Sequence, residues 1–169
     1  KVKSKRIPCK ETRSCSAGKC DGKCLEPEIL LIVDRSSSML GSKWDNVKSA
    51  IYEFLTYFED DAKVGLRTFP AGGSSCVADT VLSLDKGRRY KIWSKLTTPT
   101  NDAQTPIYSS LTGIEASFGD PDEAQAVILI TDGTETCATE DELLNQVKKL
   151  RLSGIKTGVL GVGNGADPA

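Results

Sequence analysis

The chain has 169 residues, 38% of them hydrophobic and 27% charged, with a formal net charge of −1. That composition fits a globular protein rather than a disordered or collagen-like chain, and no apolar run approaches the roughly 20 residues of a membrane span. Histidine is absent, which excludes His-based triads, His general bases, His zinc ligands and His pH switches.

Charge is unevenly placed. Residues 1–24 hold eight Lys or Arg and two Asp or Glu, a net of +6, against −7 for the remainder. A basic arm of this kind can meet anionic polymers or lipid headgroups. No aromatic residue interleaves its lysines, so a single-stranded nucleic acid is not the expected partner. Lys1 to Arg6 leads into no apolar segment, so no signal peptide is read here; an exported protein would carry that signal upstream of this sequence.

Cys9, Cys15, Cys20 and Cys24 lie close together in residues 1–25, among glycines and almost no apolar side chains. Such a segment has no core and needs cross-links. Two disulfides are the expected answer; of the three possible pairings, 9–20 with 15–24 is preferred. A Cys₄ zinc site is the alternative, although the paired C-x₂-C of zinc knuckles is missing. Leu25-Glu26-Pro27 reads as a boundary, giving a cysteine-rich segment over 1–25 and a main domain over 26–169. The even cysteine count suggests an oxidising compartment, hence an extracellular or cell-surface location.

From residue 28 onward, apolar runs alternate with helical periodicity, the mark of an α/β fold. Glu28 to Val33 predicts a strand, apolar on both faces and therefore central. It ends in Asp34-Arg35-Ser36-Ser37-Ser38, one carboxylate and two hydroxyls spaced two apart. Ser42 to Asp45 reads as a capping box. The spacing of Trp44, Val47, Ile51, Phe54, Leu55 and Phe58 predicts an amphipathic helix behind it. Lys63 to Phe69 is a second strand, stopped by Pro70 and a Gly72-Gly73 loop. Val77 to Leu84 is a third strand, and Arg88 to Leu96 a short helix. Thr105-Pro106 opens another helix, with Thr105 as N-cap and Ile107, Leu111, Ile114 and Phe118 on one face. Ala126 to Ile130 predicts a buried strand ending in Thr131-Asp132-Gly133. Thr139 to Glu142 caps a helix whose Leu143, Leu144, Val147 and Leu150 face inward. Ile155 to Val162 is the last strand. Cys76 and Cys137 are the remaining cysteines. They are expected to pair and brace the Asp132 loop, with two buried free thiols as the alternative.

The carboxyl ends of parallel strands share one sheet edge, where open α/β sheets bind ligands. Asp34 and Asp132 meet there if their strands are neighbours. Two carboxylates and the hydroxyls of Ser36, Ser38 and Thr105 are hard oxygen donors that suit an octahedral cation.

Asp34-x-Ser36-x-Ser38, the Thr105 at a helix start and Asp132-Gly133 after an apolar strand resemble the metal-ion-dependent adhesion site of von Willebrand factor type A domains, in particular of secreted bacterial members. The resemblance covers residues 28–169. It implies a Rossmann-like, doubly wound, mostly parallel α/β sheet. It also implies that Ser36 and Ser38 ligate the metal directly and that Asp34 and Asp132 act largely through water. Thr105 would bind directly or through water. Mg²⁺ is the preferred ion, with Ca²⁺ or Mn²⁺ as alternatives. One position of the metal is left for an Asp or Glu carboxylate of a protein partner, around which Arg35, Met39, Asn101, Asp102, Gln104 and Glu135 could tune specificity. Members of the family usually continue past Gly163-Asn164-Gly165 with a helix and an edge strand, so the sheet is expected to lack these here, and switching through that helix is not expected. The function this resemblance implies is an extracellular metal-dependent adhesion or protein-binding module. The alternative is a structural subunit of a surface filament, self-assembling through the cysteine-rich arm and an open sheet edge. Catalysis is not expected: Ser36 lacks both a histidine and a Gly-x-Ser-x-Gly elbow.

Overall fold

The computed structural model describes residues 15–16, 19–20, 26–58, 61–71, 76–119 and 121–163. In the cysteine-rich segment it shows the backbone of two short antiparallel strands, β1 (Cys15–Ser16) and β2 (Lys19–Cys20). The pairings expected among Cys9, Cys15, Cys20 and Cys24 lie outside the described residues.

The remaining strands are β3 (Glu28–Asp34), β4 (Lys63–Phe69), β5 (Asp79–Asp85), β6 (Gln125–Thr131) and β7 (Lys156–Gly161). They form one sheet in the order β5-β4-β3-β6-β7. β3, β4, β6 and β7 are parallel, and β5 runs antiparallel to β4. The α-helices are α1 (Ser42–Phe58), α2 (Arg89–Lys95), α3 (Ile107–Leu111) and α4 (Glu140–Leu152). The chain leaves β3 for β4 on one side and places β6 on the other, so the strand order reverses at the carboxyl end of β3. That is the switch point at which doubly wound sheets hold ligands.

Every residue of β3 is buried, and alternation divides its side chains between two cores. Ile29, Leu31 and Val33 pack with Trp44, Val47, Ile51 and Leu55 of α1 and with Ile92 of α2. Leu30 and Ile32 face the other way, onto Ile107, Leu111, Ile114, Phe118 and Leu150. A strand apolar on both faces is therefore covered on both faces, as its composition requires. β7 closes one side as an edge strand, with Val159 and Leu160 63% and 48% exposed.

Several elements differ from expectation for local reasons. Ser42 is the first residue of α1 rather than its cap. Gly41, at φ 77°, precedes it and accepts from Trp44 N and Asp45 N. The helix expected from Thr105 to Phe118 is broken: α3 ends at Leu111, and a 3₁₀ turn covers Ile114–Ser117. Gly113 between them has φ 73°, a left-handed conformation that stops a helix. Thr112 Oγ1 also donates back to Tyr108 O, satisfying a carbonyl the helix would otherwise use. The four apolar positions are nonetheless all buried on one side. Leu144 is 46% exposed, and Gln146 takes the inward place by donating to Leu111 O at 2.8 Å. Met39 is fully buried in the core, so it cannot tune a surface site. The capping box at Thr139 forms as read, with Glu142 N donating to Thr139 Oγ1 and Thr139 N donating to Glu142 Oε2.

At the amino ends of the strands, Lys63 Nζ lies 3.1 Å from Glu28 Oε1 and 3.0 Å from Glu123 Oε2. Both carboxylates are almost wholly buried, and Glu28 also accepts from Gly119 N at 2.8 Å. The hydrogen bonds to Glu123 and Glu28 push the Lys63 pKa above its ordinary value. A raised lysine contributes stability that is fully present below the unfolded value of 10.5 and is lost as pH rises through the folded value. Lys63→Met leaves two buried carboxylates without a cation. It should cost about 3 kcal/mol at neutral pH, as removing one member of a buried ion cluster does. Urea denaturation at pH 7 checks this; an unchanged midpoint would refute the charge argument.

Candidate metal centre

Three loops meet at the carboxyl edge of the sheet. The turn after β3 carries Asp34, Ser36 and Ser38. The segment before α3 carries Thr105. The turn after β6 carries Asp132. Hydrogen bonds stitch the first two together: Ser37 N donates to Asp102 O at 2.7 Å, and Thr100 N to Arg35 O at 2.7 Å. Arg35 also donates through its guanidinium to Thr98 O.

The polar atoms of this edge form a connected run. Ser36 N donates to Asp34 Oδ1 at 2.8 Å, and Thr131 Oγ1 donates to Asp34 Oδ2 at 2.6 Å. Ser36 Oγ and Ser38 Oγ are 2.9 Å apart, and Ser38 Oγ donates to Asp132 Oδ1 at 2.7 Å. Thr105 joins from the far side: a Cβ built on Gly133 would stand 3.5 Å from Thr105 Oγ1. All five residues singled out in the sequence thus sit on one edge. Asp34 and Ser36 are fully buried, Thr105 nearly so, and Ser38 is exposed, so the run leads from the sheet's interior to solvent.

Burial pushes the Asp34 pKa up from its ordinary value of 3.8, against the hydrogen bonds from Thr131 and Ser36. The carboxylate of Asp132 adds to the rise. An ionised Asp34 is therefore short of positive charge. Lys43, in the first turn of α1, supplies some to Asp132 alone: its Nζ contacts Asp132 Oδ2, and it was not legible as a site residue from the sequence. Its position one turn past the Ser-rich loop, on the helix that loop feeds, was the available signal.

The residues fit a hard divalent ion. Neighbouring ligands of an octahedral Mg²⁺, with bonds of about 2.0–2.1 Å, lie about 2.9 Å apart. The two serine oxygens stand at that separation. Among the described residues no group of three or more His, Cys, Asp or Glu is placed to hold a metal. A cation on this edge would depend on hydroxyls as much as on carboxylates.

Behind the site, Cys76 and Cys137 form a disulfide, as expected from the sequence, with Cα atoms 5.6 Å apart. It joins the β4–β5 connection to the loop that follows Asp132.

A doubly wound α/β domain with an oxygen-rich cluster at its switch point defines a class of ligand-binding module. The chain belongs to the von Willebrand factor type A domain family, whose model matches residues 28–169. Members of this family generally serve as adhesion or interaction modules rather than as enzymes. Solved structures agree on the fold. An aerotolerance-related membrane protein from Bacteroides fragilis superposes with a TM-score of 0.65 at 26% identity, covering 80% of this chain and 67% of its own. Proximal thread matrix protein 1 from the mussel byssus gives 0.69 at 24% identity, covering 83% and 39%. Manganese-loaded TRAP protein from Plasmodium vivax gives 0.67 at 20%, covering 83% and 58%. The chain thus spans two fifths to two thirds of the length of these proteins. No curated protein matches it. Among the described residues no helix is long and apolar enough to cross a membrane.

Proposed function

We propose that this domain binds a protein partner through a divalent cation held by Asp34, Ser36, Ser38, Thr105 and Asp132. The observation that carries the reading is the hydrogen-bonded chain that ties Asp34 to Ser36 N and leads from Ser36 Oγ through Ser38 Oγ to Asp132, with the two serine hydroxyls 2.9 Å apart, as neighbouring ligands would be. Ser36 and Ser38 ligate directly. Asp34 and Asp132 act largely through water, and Thr105 directly or through water. Mg²⁺ is the preferred ion, with Ca²⁺ or Mn²⁺ as alternatives. Two solved relatives support a cation in this position, since one carries manganese and the mussel protein has been seen with zinc in its adhesion-site motif.

When bound, the ion supplies a Lewis-acidic point that attracts a carboxylate. The chain's own residues do the rest. Asp34, ionised and buried, provides the charge that draws the ion in, and Thr131 and Ser36 hold its two oxygens in place. Ser38 carries the cluster to the surface. Lys43 neutralises part of the charge on Asp132 and so lowers its repulsion of an acidic ligand. Arg35, Asn101, Asp102 and Gln104 belong to the loops beside the cluster and could tune specificity. The Cys76–Cys137 bond fits an oxidising, extracellular setting, and the cysteine-rich segment over 1–25 is read as a separate unit preceding the matched region.

The experiment is a pull-down from the native cell surface with the wild-type chain and an Asp34→Ala control, each with Mg²⁺ and with chelator. The partner should be recovered only by wild type with metal. Equal recovery with chelator or with the variant would contradict a metal clasp.

A further inference from the structure

Glu135 and Thr136 lie outside the five-residue cluster, three and four residues past Asp132, yet both reach across to the Thr105 segment. Glu135 spreads its carboxylate over two loops. Oε1 accepts from Cys137 N at 2.6 Å and from Ala138 N at 3.0 Å. Oε2 accepts from Tyr108 N, in the first turn of α3. The cap position of α3 is Pro106, which makes no side-chain cap bond. A residue 27 positions away in sequence therefore supplies the acceptor that α3 does not provide for itself. Thr136 completes the contact from both sides: Thr105 N donates to Thr136 Oγ1 at 2.7 Å, and Thr136 N donates to Thr105 O at 3.3 Å. Cys137 follows at once and is tied to Cys76.

From these contacts we infer that Glu135 and Thr136 are positioning residues that fix the Thr105 hydroxyl against the Asp132-Gly133 turn, with the Cys76–Cys137 bond holding their loop from behind. The reason is geometric. Asp132 and Thr105 stand on segments that share no strand pairing, because Thr105 lies in the long connection between β5 and β6. Thr105's backbone N–H is spent on Thr136, its C=O accepts from both Ile107 N at 2.9 Å and Thr136 N at 3.3 Å, and the α3 start is anchored to Glu135. Removing either acceptor frees the Thr105 segment to move relative to the carboxylates while leaving all five oxygen-bearing side chains present. Groups that orient ligands cost about 10- to 100-fold in metal affinity when lost. The inference rests on the cation-binding reading above, so its test separates the two.

Mn²⁺ affinity and thermal stability are measured for wild type, Glu135→Ala, Thr136→Val and Thr136→Ser. In parallel, amide hydrogen exchange at Thr105 and Tyr108 is followed in the metal-free proteins. Thr136→Val is isosteric and keeps the fold, but it has no acceptor for Thr105 N. It should lower Mn²⁺ affinity about tenfold or more and speed exchange at Thr105. Glu135→Ala should do the same to affinity and speed exchange at Tyr108. Thr136→Ser, which keeps the hydroxyl, should match wild type in both. Wild-type affinity and unchanged exchange in Thr136→Val and Glu135→Ala would overturn the positioning role while leaving the cation site standing. No Mn²⁺ binding by wild type would overturn the cation reading itself. Exchange at Thr105 and Tyr108 would then still decide whether these residues hold the loop.

Discussion

Asp34→Asn should stay folded and lose divalent-cation affinity by about 10- to 100-fold, the range seen when a group acting through a metal's outer shell is removed. The side chain keeps its shape and can still accept from Ser36 N, while its amide can donate to Thr131 Oγ1. What it loses is the charge. The same substitution should act oppositely on the metal-free protein. The folded pKa of Asp34 is raised, chiefly by burial. A carboxyl raised in this way favours the fold when protonated, below the unfolded value of 3.8, and that contribution is lost as pH rises through the folded value. Above the unfolded value the buried Asp34 is therefore a destabilising group until a cation compensates it. In chelator, the Asp34→Asn variant should be as stable as wild type or more so; with Mg²⁺ present, wild type should gain stability and the variant should not. Thermal melts in chelator and in Mg²⁺ check this. A variant less stable than wild type in chelator would show that Asp34 serves the fold rather than a cation.

The second large effect belongs to the Cys76–Cys137 bond. The two cysteines are separated by 61 residues, so in the chain-entropy picture their cross-link is worth on the order of 4 kcal/mol. That is a large share of the roughly 5–15 kcal/mol typical of a whole domain. The double variant Cys76→Ser with Cys137→Ser should lose about that much in urea denaturation. Reducing the wild-type chain is a poorer test, because it also reaches Cys9, Cys15, Cys20 and Cys24. The double variant isolates this bond, and an unchanged midpoint would refute its stabilising role. Because Ala71 N donates to Val77 O at 2.7 Å, the β4–β5 connection is already closed at its base.

Much of the architecture was legible because its signals were short-ranged and unambiguous. The unbroken apolar runs at Ile29–Val33 and Ala126–Ile130 could only be central strands, and they pair as neighbours. Thr139 and Glu142 specify their helix start without help from the rest of the chain. Asp34 and Asp132 were found together because each ends such a strand, and adjacent parallel strands bring their carboxyl ends to one edge.

The less legible parts depended on contacts between distant segments. The antiparallel direction of β5 is set by its pairing with β4 and not by its own residues. The break in the Thr105–Phe118 helix hinges on Gly113, whose apolar neighbours keep a helical spacing across it. Leu144 looked inward by spacing, but the core needed an amide there to satisfy Leu111 O, so Gln146 turned in instead. Lys43, Glu135 and Thr136 are ordinary surface types in sequence, and only the closeness of three loops gives them partners. Glu135 was noted as a candidate for tuning specificity; its carboxylate instead spends both oxygens on backbone N–H groups.

The most direct test of the account is magnetic resonance of Mn²⁺ bound to the wild-type chain in the presence of acetate labelled with ¹³C at its carboxyl carbon. The account predicts a single tightly bound ion per chain, with a ¹³C coupling that reports a carboxylate on the metal, and the loss of both signals in Asp34→Asn. Absence of stoichiometric Mn²⁺ binding, or an ion that binds equally well to Asp34→Asn and shows no carboxylate coupling, would contradict it.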